Sequence, residues 1–323
     1  MIATVTLNPS LDEHIMVPGL MVEETNRWVK RHRYAGGKGI DVSRAIHEMD
    51  GITIAYGFIG GPNGRALEIL LDEEGVLFSF TPIKQETRTN FIITDTKTYQ
   101  QTRIDASGPH ISKRELGRFL KKLEHIRPKP NMMVASGSIP PGVPSNIYYD
   151  IITECSNYNV RTILDSEGQW LEEGLKAKPY LIKPNVHEAE MLLGRDLPTE
   201  EVIIDAALEL VDMGIEVVVI SRGKDGIIAA TRGSIFKVVP PPVKGRSAVG
   251  AGDCTIAGLA LNLAYGKPLL EACQLAVAMG TAAVLTPGTE LCRRADVTRL
   301  LPKVKVWVMS ARKRVKIFST TSN

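Results

Sequence analysis

Short apolar runs of strand length alternate with helix-like segments along most of this 323-residue chain. The segments between the runs place apolar residues three and four positions apart, which is the spacing of an amphipathic helix. The clearest runs cover residues 52–58, 132–136, 161–165, 180–182 and 216–221. This alternation predicts βαβ units, in which helices cover both faces of a parallel sheet. The expected fold class is therefore α/β, with three layers and a mostly parallel central sheet.

Two stretches depart from this pattern. Residues 12–34 and 87–104 alternate polar and apolar side chains and contain no good helix, so they predict β-hairpin pieces outside the main sheet. We interpret them as a small β lid within one domain that spans residues 1–307. Residues 308–323 form the expected C-terminal tail, which carries Arg312, Lys313, Arg314 and Lys316 and no acidic residue. Residues 304–309, which overlap the start of this tail, weakly alternate polar and apolar side chains, as an edge strand does.

The net charge of +3 comes from that tail. When its four basic residues are left out, 35 of the 39 basic residues remain against 36 acidic residues. The rest of the chain therefore has a net charge of −1. We therefore expect no nucleic-acid partner. No apolar run approaches the roughly 20 residues that span a bilayer, and the N-terminus lacks a signal-peptide pattern, so a cytoplasmic protein without a membrane partner is expected. The four cysteines lie far apart in sequence, which predicts free buried thiols and no metal-thiolate site.

The most informative motif is Ser-Ala-Val-Gly-Ala-Gly-Asp-Cys at residues 247–254, followed by a small, apolar, helix-compatible stretch. Gly250, Ala251 and Gly252 allow backbone N–H groups to converge on an anion at the start of that helix. Asp253 would repel a bound phosphate, but it makes sense as a base that takes a proton from an attacking hydroxyl. The alternative is an ordinary helix start with an acidic residue in its first turn.

Six segments, in this order, resemble the signatures of the PfkB family of ribokinase-like carbohydrate kinases. They are residues 6–12 (TLNPSLD), 35–45 (AGGKGIDVSRA), 136–142 (SGSIPPG), 183–188 (KPNVHE), 221–226 (SRGKDG) and 247–253 (SAVGAGD). The resemblance implies a ribokinase-like α/β/α fold with a β lid. It also implies transfer of a phosphoryl group from ATP, with Mg²⁺, to a sugar hydroxyl, and a homodimer formed through the lid.

The resemblance also assigns roles to individual residues, with Asp253 as general base and the turn of Gly250, Ala251 and Gly252 as the anion hole. The residues expected to bind the acceptor are Asp12, Gly37, Lys38, Gly39, Asp41, Arg88, Arg103 and Ser138, with Arg27 as a further cation for its phosphate. The residues expected to bind ATP are Lys183, Asn185, Ser221, Gly223, Gly226, Gly250 and Gly252. Glu188, through water, and Asn185 are expected at the metal.

The details of the motifs are most similar to the phosphofructokinase and tagatose-phosphate kinase branch, which implies a phosphorylated ketohexose as acceptor. The choice among fructose 6-phosphate, fructose 1-phosphate and tagatose 6-phosphate stays open. One departure is Asp41, which stands where the family signature has Asn; an ionised carboxylate accepts hydrogen bonds but donates none, and it repels a nearby phosphate.

Other functions are weighed against this one. Because of Asp41, a kinase for a nucleoside or an unphosphorylated sugar is the nearest alternative, and a non-catalytic sugar-phosphate sensor is a second. A sensor transfers no phosphoryl group and so needs no general base, which makes Asp253 an argument against it. A dinucleotide-binding oxidoreductase would need G-x-G-x-x-G after the first strand, and a P-loop enzyme G-x-x-x-x-G-K-[ST]; the sequence has neither.

Overall fold

The computed structural model describes residues 1–287 and 290–311, and their strands form two separate sheets. The strands of the main sheet are β1 (Ile2–Thr6), β4 (Thr53–Ile59), β5 (Leu77–Phe78), β6 (Thr81–Pro82), β9 (Met132–Ser136), β10 (Arg161–Asp165), β11 (Leu181–Ile182), β12 (Val217–Ser221), β13 (Ile227–Ala230), β14 (Ser234–Val239) and β15 (Lys305–Ser310). The strands of the second sheet are β2 (Ser10–Val17), β3 (Lys30–Gly36), β7 (Arg88–Asp95) and β8 (Gln101–Ile104). The helices are α1 (Lys38–Glu48), α2 (Gly61–Glu74), α3 (Lys113–Glu124), α4 (Ile147–Asn157), α5 (Gly168–Leu175), α6 (Val186–Leu193), α7 (Glu200–Asp212), α8 (Ala251–Ala264), α9 (Leu269–Val284) and α10 (Arg294–Leu300).

The main sheet runs in the order β5-β4-β1-β9-β10-β11-β12-β13-β14-β15, and β6 pairs with β4. Its strands are parallel from β5 to β12 and antiparallel from β12 to β15. The predicted parallel sheet is thus confirmed, and each of the five predicted runs matches its strand to within one residue at either end.

Both faces of the sheet are buried at β1 and β9, because alternate side chains of these strands enter different cores. In β9, Met132 and Val134 point into the core with α1, α8, α9 and α10, whereas Met133 and Ala135 point into the core with α3, α4, α5, α6 and α7. This explains why the strand is apolar throughout rather than alternating. The three-layer α/β/α arrangement is confirmed.

The second sheet, which we call the lid, has the order β3-β2-β7-β8. Its centre is a parallel pair, β2 with β7, flanked on each side by an antiparallel strand. The lid was predicted at residues 12–34 and 87–104, and its strands occupy Ser10–Gly36 and Arg88–Ile104. The predicted β lid is confirmed, with β2 starting two residues earlier than expected.

The C-terminal strand crosses residue 307, the predicted boundary between domain and tail. β15 pairs with β14 from Lys305 to Ser310, so the sheet continues past residue 307, where we expected the domain to end. Ala311 is buried and its N–H donates to the carbonyl of Gly233. The basic run from Arg312 to Lys316 lies outside the described residues.

Two further observations bear on the sequence predictions. The four cysteines are free and buried, as predicted. Among the described helices, each is too short or too polar to cross a bilayer.

Candidate active site

The parallel strands of the main sheet end at one edge, beneath the lid. In an open α/β sheet, ligands bind at the carboxyl ends of the strands. The polar residues at or just after these ends are Thr6, Ser136, Asp165, Lys183 and Ser221. The buried side-chain oxygens of Thr6 and Ser136 have no hydrogen-bond partner within the described protein, which suits a ligand at this edge.

A cavity of about 780 Å³ lies between this edge and the lid, and we call it the lid cavity. Nine residues that were predicted for the site line it: Asp12, Gly37, Lys38, Asp41, Arg88, Arg103, Ser138, Gly250 and Asp253. Gly39 does not, because it is buried where α1 meets β1, and a Cβ there would lie 2.5 Å from Thr6 Oγ1. Arg27 is exposed on the connection between β2 and β3, away from this lining.

A second cavity of about 810 Å³, the outer cavity, lies on the other side of the start of α8. Six of its lining residues were predicted to bind ATP or the transferred phosphate: Asn185, Ser221, Gly223, Gly226, Ala251 and Gly252. Much of the remaining wall is apolar and comes from Pro240, Pro241, Pro242, Val277 and Val284. An apolar slot of this kind suits a flat ring system. Lys183 is buried just below, since a Cβ on Gly252 would lie 3.7 Å from its Nζ.

The glycine turn (residues 250–252) separates the two cavities. Gly250 precedes α8 with φ 77°, in the left-handed region that favours glycine. A side chain there would also meet Leu291, because a Cβ would lie 2.7 Å from Leu291 Cδ2. The first N–H groups of a helix lack intrahelical partners and, with the helix dipole, attract an anion. The turn can therefore hold a phosphoryl group between the cavities.

Asp253, in the first turn of α8, lines the lid cavity. Its pKa is raised to about 6, first by burial and then by the nearby carboxylate of Asp165, while Lys38 and Lys183 act in the opposite direction. A carboxylate with such a pKa is mostly ionised at neutral pH yet is a stronger base than an ordinary aspartate.

Asp165 is the central charge that our sequence analysis missed. It is buried at the end of β10, and its two oxygens lie 3.5 Å from Lys38 Nζ and 3.5 Å from Lys183 Nζ. Burial would raise the pKa of Asp165, but the two lysines together hold it below its ordinary value. Asp165 in turn raises the pKa of Lys38. The available signal was its position, an acidic residue that ends a buried parallel strand.

Asp12 belongs to a hydrogen-bond network at the centre of the lid. Ser10 Oγ donates to Asp12 Oδ1 at 2.6 Å, and Asn90 Nδ2 donates to Ser10 Oγ at 3.0 Å and to Asp12 Oδ1 at 3.3 Å. Burial raises the pKa of Asp12. The network fixes the carboxylate where it can accept hydrogen bonds from a polyol.

The two arginines of the lid cavity differ in their freedom. Arg88 is held by its donations to the carbonyls of Asn8 at 2.9 Å and Ala106 at 2.7 Å. Arg103 is 48% exposed, and its Nη2 lies 3.7 Å from Asp105 Oδ1. Both guanidinium groups line the cavity, and such groups can donate charge-assisted hydrogen bonds to a phosphate.

Asp41 lies on the α1 side of the lid cavity and is paired with a cation. Arg44 Nη1 donates to Asp41 Oδ1 at 3.1 Å, while Arg44 Nε and Nη2 donate to the two oxygens of Glu74 at 2.6 and 2.7 Å. Burial raises the pKa of Asp41, and Arg44 opposes this effect. The charge of Arg44 thus reduces the repulsion that Asp41 would exert on a phosphate.

Asn185 and Glu188 form the capping box of α6. Asn185 Oδ1 accepts from Glu188 N at 2.8 Å, and Glu188 Oε2 accepts from Asn185 N at 2.8 Å. Each oxygen has a further lone pair, so both side chains can still accept from metal-bound water. Within residues 1–287 and 290–311, no cluster of three or more His, Cys, Asp or Glu side chains could hold a metal ion directly.

The arrangement is that of a kinase, with a polar cavity under a lid, a second cavity with apolar walls, and a phosphate-binding turn between them. The chain belongs to the pfkB family carbohydrate kinases, whose family model matches residues 5–296. It is an ATP-dependent sugar kinase of the phosphofructokinase type.

Individual relatives bear two different names. The 1-phosphofructokinase of Bacillus subtilis is 35% identical over 95% of this chain and 99% of its own length. The ATP-dependent 6-phosphofructokinase isozyme 2 of Mycobacterium tuberculosis is 36% identical over 92% of this chain and 88% of its own. Phosphofructokinase-2 of Escherichia coli is 32% identical over 94% of this chain and 98% of its own, with a TM-score of 0.88, in two structures: a complex with fructose-6-phosphate and a tetrameric inhibited form.

Proposed function

We propose that this kinase transfers the γ-phosphoryl group of ATP to a hydroxyl of a phosphorylated ketohexose, with Asp253 as general base. One observation carries the proposal. Asp253 and Gly250 line the lid cavity, whereas Ala251 and Gly252 of the same helix start line the outer cavity. An acceptor hydroxyl and a nucleotide phosphate placed in the two cavities therefore meet at this turn.

In this assignment the lid cavity holds the acceptor. Arg88 and Arg103 bind its phosphate, and Asp12 accepts hydrogen bonds from its hydroxyls. Asp253 removes the proton from the attacking hydroxyl, and its pKa of about 6 leaves it ionised at neutral pH. Closure of the lid keeps water away from the phosphoryl group.

The outer cavity holds ATP, with the nucleobase against its apolar wall. The N–H groups of the glycine turn stabilise the charge on the phosphoryl group in transit, and Lys183 below them adds a positive charge. Asn185 and Glu188 would hold Mg²⁺ through water, which fits their remaining acceptor capacity. The ion, when bound, offsets the negative charge of the phosphates.

Fructose 6-phosphate is the acceptor that we propose first. The relatives do not decide the matter, because 35% identity to a 1-phosphofructokinase and 36% identity to a 6-phosphofructokinase are equivalent. Fructose 1-phosphate, tagatose 6-phosphate, unphosphorylated sugars and nucleosides are therefore the other members of the test panel. The cytoplasmic location expected from the sequence stays a prediction.

The test is a panel of these acceptors with coupled detection of ADP, on the wild type and on Asp253→Asn. We expect ADP release to require a phosphorylated ketohexose, and Asp253→Asn to lower kcat by about 10²- to 10⁴-fold, as is typical for loss of a general base. Circular dichroism and the Kd for ATP serve as controls and should change little. Turnover of Asp253→Asn within a few-fold of wild type would exclude this role, and activity on a nucleoside alone would overturn the acceptor class.

A further inference from the structure

One side chain of the lid reaches the segment that leads into the glycine turn. Gln101 lies at the start of β8, and its Oε1 accepts a hydrogen bond of 3.3 Å from Ser247 Oγ, a residue 146 positions further along the chain. Ser247 is only 7% exposed. The hydrogen bond is part-buried, and it connects the two parts of the molecule that enclose the lid cavity.

Each partner of this hydrogen bond is fixed on its own side. Ser247 Oγ also accepts from Val249 N at 3.2 Å, and Val249 directly precedes Gly250. On the lid, Gln101 Nε2 donates to Thr94 Oγ1 at 3.3 Å, and Thr94 Oγ1 lies 2.7 Å from Nε2 of His14. His14 is buried, and its pKa is lowered mainly by that burial. A continuous chain of hydrogen bonds thus runs from the middle of the lid to the backbone next to the glycine turn.

We propose that Gln101 is a positioning residue, which orients the glycine turn for phosphoryl transfer when the lid covers the acceptor. The inference rests on the proposed function. The lid supplies Arg88 to the acceptor, whereas the glycine turn and Asp253 belong to the main domain. The Gln101–Ser247 hydrogen bond forms only when these two parts are together, so the turn is held in place once the acceptor is enclosed.

Gln101 touches neither substrate in this assignment. Neither Gln101 nor Ser247 lines the lid cavity or the outer cavity. Loss of the Gln101 side chain should therefore spare ground-state binding and affect the step in which charge develops at the turn. The expected signature is a fall in kcat with little change in KM.

The experiment is a double-mutant cycle of Gln101→Ala and Ser247→Ala, with Gln100→Ala as the matched control. Gln100 is the same residue type one position earlier, and it is exposed. We expect Gln101→Ala to lower kcat about five- to tenfold, the effect of one net hydrogen bond, with both KM values changed less than about twofold. The double variant should be no slower than Ser247→Ala alone, because the two side chains act through one contact. Gln100→Ala should match the wild type.

Additive losses in the cycle, an unchanged kcat, or a rise in the acceptor KM alone would overturn the proposal. A second measurement does not depend on the acceptor. The Val249 amide should exchange its hydrogen faster in Gln101→Ala than in Gln100→Ala, since Ser247 loses the partner that orients it. If the wild type phosphorylated no acceptor of the panel, the proposed function would fail. The exchange of Val249 alone would then decide whether Gln101 holds this segment.

Discussion

Burial raises the pKa values of three carboxylates of the lid cavity, and two of them, Asp253 and Asp41, lie outside the lid itself. Burial is the main cause in both cases. They differ in their partners, since Asp41 is hydrogen-bonded to Arg44, whereas Asp253 lies near the Lys38, Asp165 and Lys183 charges. Asp253 is also the one placed at the glycine turn. We therefore propose proton transfer for Asp253 and acceptor orientation for Asp41.

The pH dependence of kcat tests this assignment. Asp253 accepts a proton only when ionised, so kcat at saturating substrates should fall as the pH drops through about 6, the pKa of Asp253. The matched variant is Asp41→Asn, which removes a second carboxyl of raised pKa and should keep the fall in kcat near pH 6. Loss of this fall in Asp41→Asn would identify Asp41 as the titrating group.

The same pKa predicts an effect on stability. The pKa of Asp253 is higher in the folded protein than in the unfolded chain. At a pH above both pKa values the ionised carboxylate therefore destabilises the fold, whereas at a pH below both pKa values this effect is absent. Asp253→Asn should therefore have a higher Tm than wild type at pH 8, and the difference should vanish below about pH 4, near the ordinary pKa of aspartate. An equal Tm at pH 8 would show that the charge is better solvated than its position indicates.

At the scale of elements, the C-terminal strand bears on where the kinase domain ends. β15 covers the edge of β14, and Ala311, which is 4% exposed, still belongs to the packed structure. A chain that stops at Ala311 keeps these contacts. A chain that stops at Val304 leaves the edge of β14 unpaired, which is a hazard for aggregation.

We predict that a chain ending at Ala311 has kcat within a few-fold of the full chain and the same Tm. A chain ending at Val304, the matched control, should have a lower Tm and poor solubility. Activity assays and thermal unfolding of the two truncated proteins check this. If the chain ending at Ala311 folds and binds ATP but has lost activity, residues after 311 must act in catalysis.

The sequence predicts those elements whose signal is local. The buried runs, the lid alternation and the glycine turn each lie within a few neighbouring residues, so their pattern can be found without a structure. The role of Asp165 could not be found in this way, because its partners Lys38 and Lys183 come from other segments and meet it only at the sheet edge. The same applies to Glu74, which lies 30 positions from Arg44 and completes the environment of Asp41.

At the scale of the whole molecule, the lid exposes apolar side chains around the β2–β3 connection. They include Met21, Val22, Trp28 and Val29, and Trp28 is 58% exposed. Exposed apolar residues gathered in one place indicate an interaction surface. We therefore keep the homodimer through the lid as a prediction.

Light scattering at assay concentration should give the mass of a dimer, and Trp28→Asp should shift it to that of a monomer. Met213→Asp is the matched control, because Met213 is also 58% exposed but lies outside the lid, at the end of α7. It should leave the mass unchanged. A monomeric wild type, or a Trp28→Asp protein that stays dimeric, would contradict assembly through this surface.

The strand order of the main sheet has a consequence for synthesis on the ribosome. From β9 to β15 each strand is laid beside the one before it in the chain, so this part of the sheet can grow as the polypeptide emerges. The pairing of β1 with β9 is different, because Ile2 can pair with Met132 only after the ribosome has synthesised the chain as far as β9. Closing so long a loop is costly in chain entropy and makes a non-local pairing slow. Until β9 has emerged, the nascent chain holds β1 with one edge unpaired, and another strand could pair with that edge in place of β9.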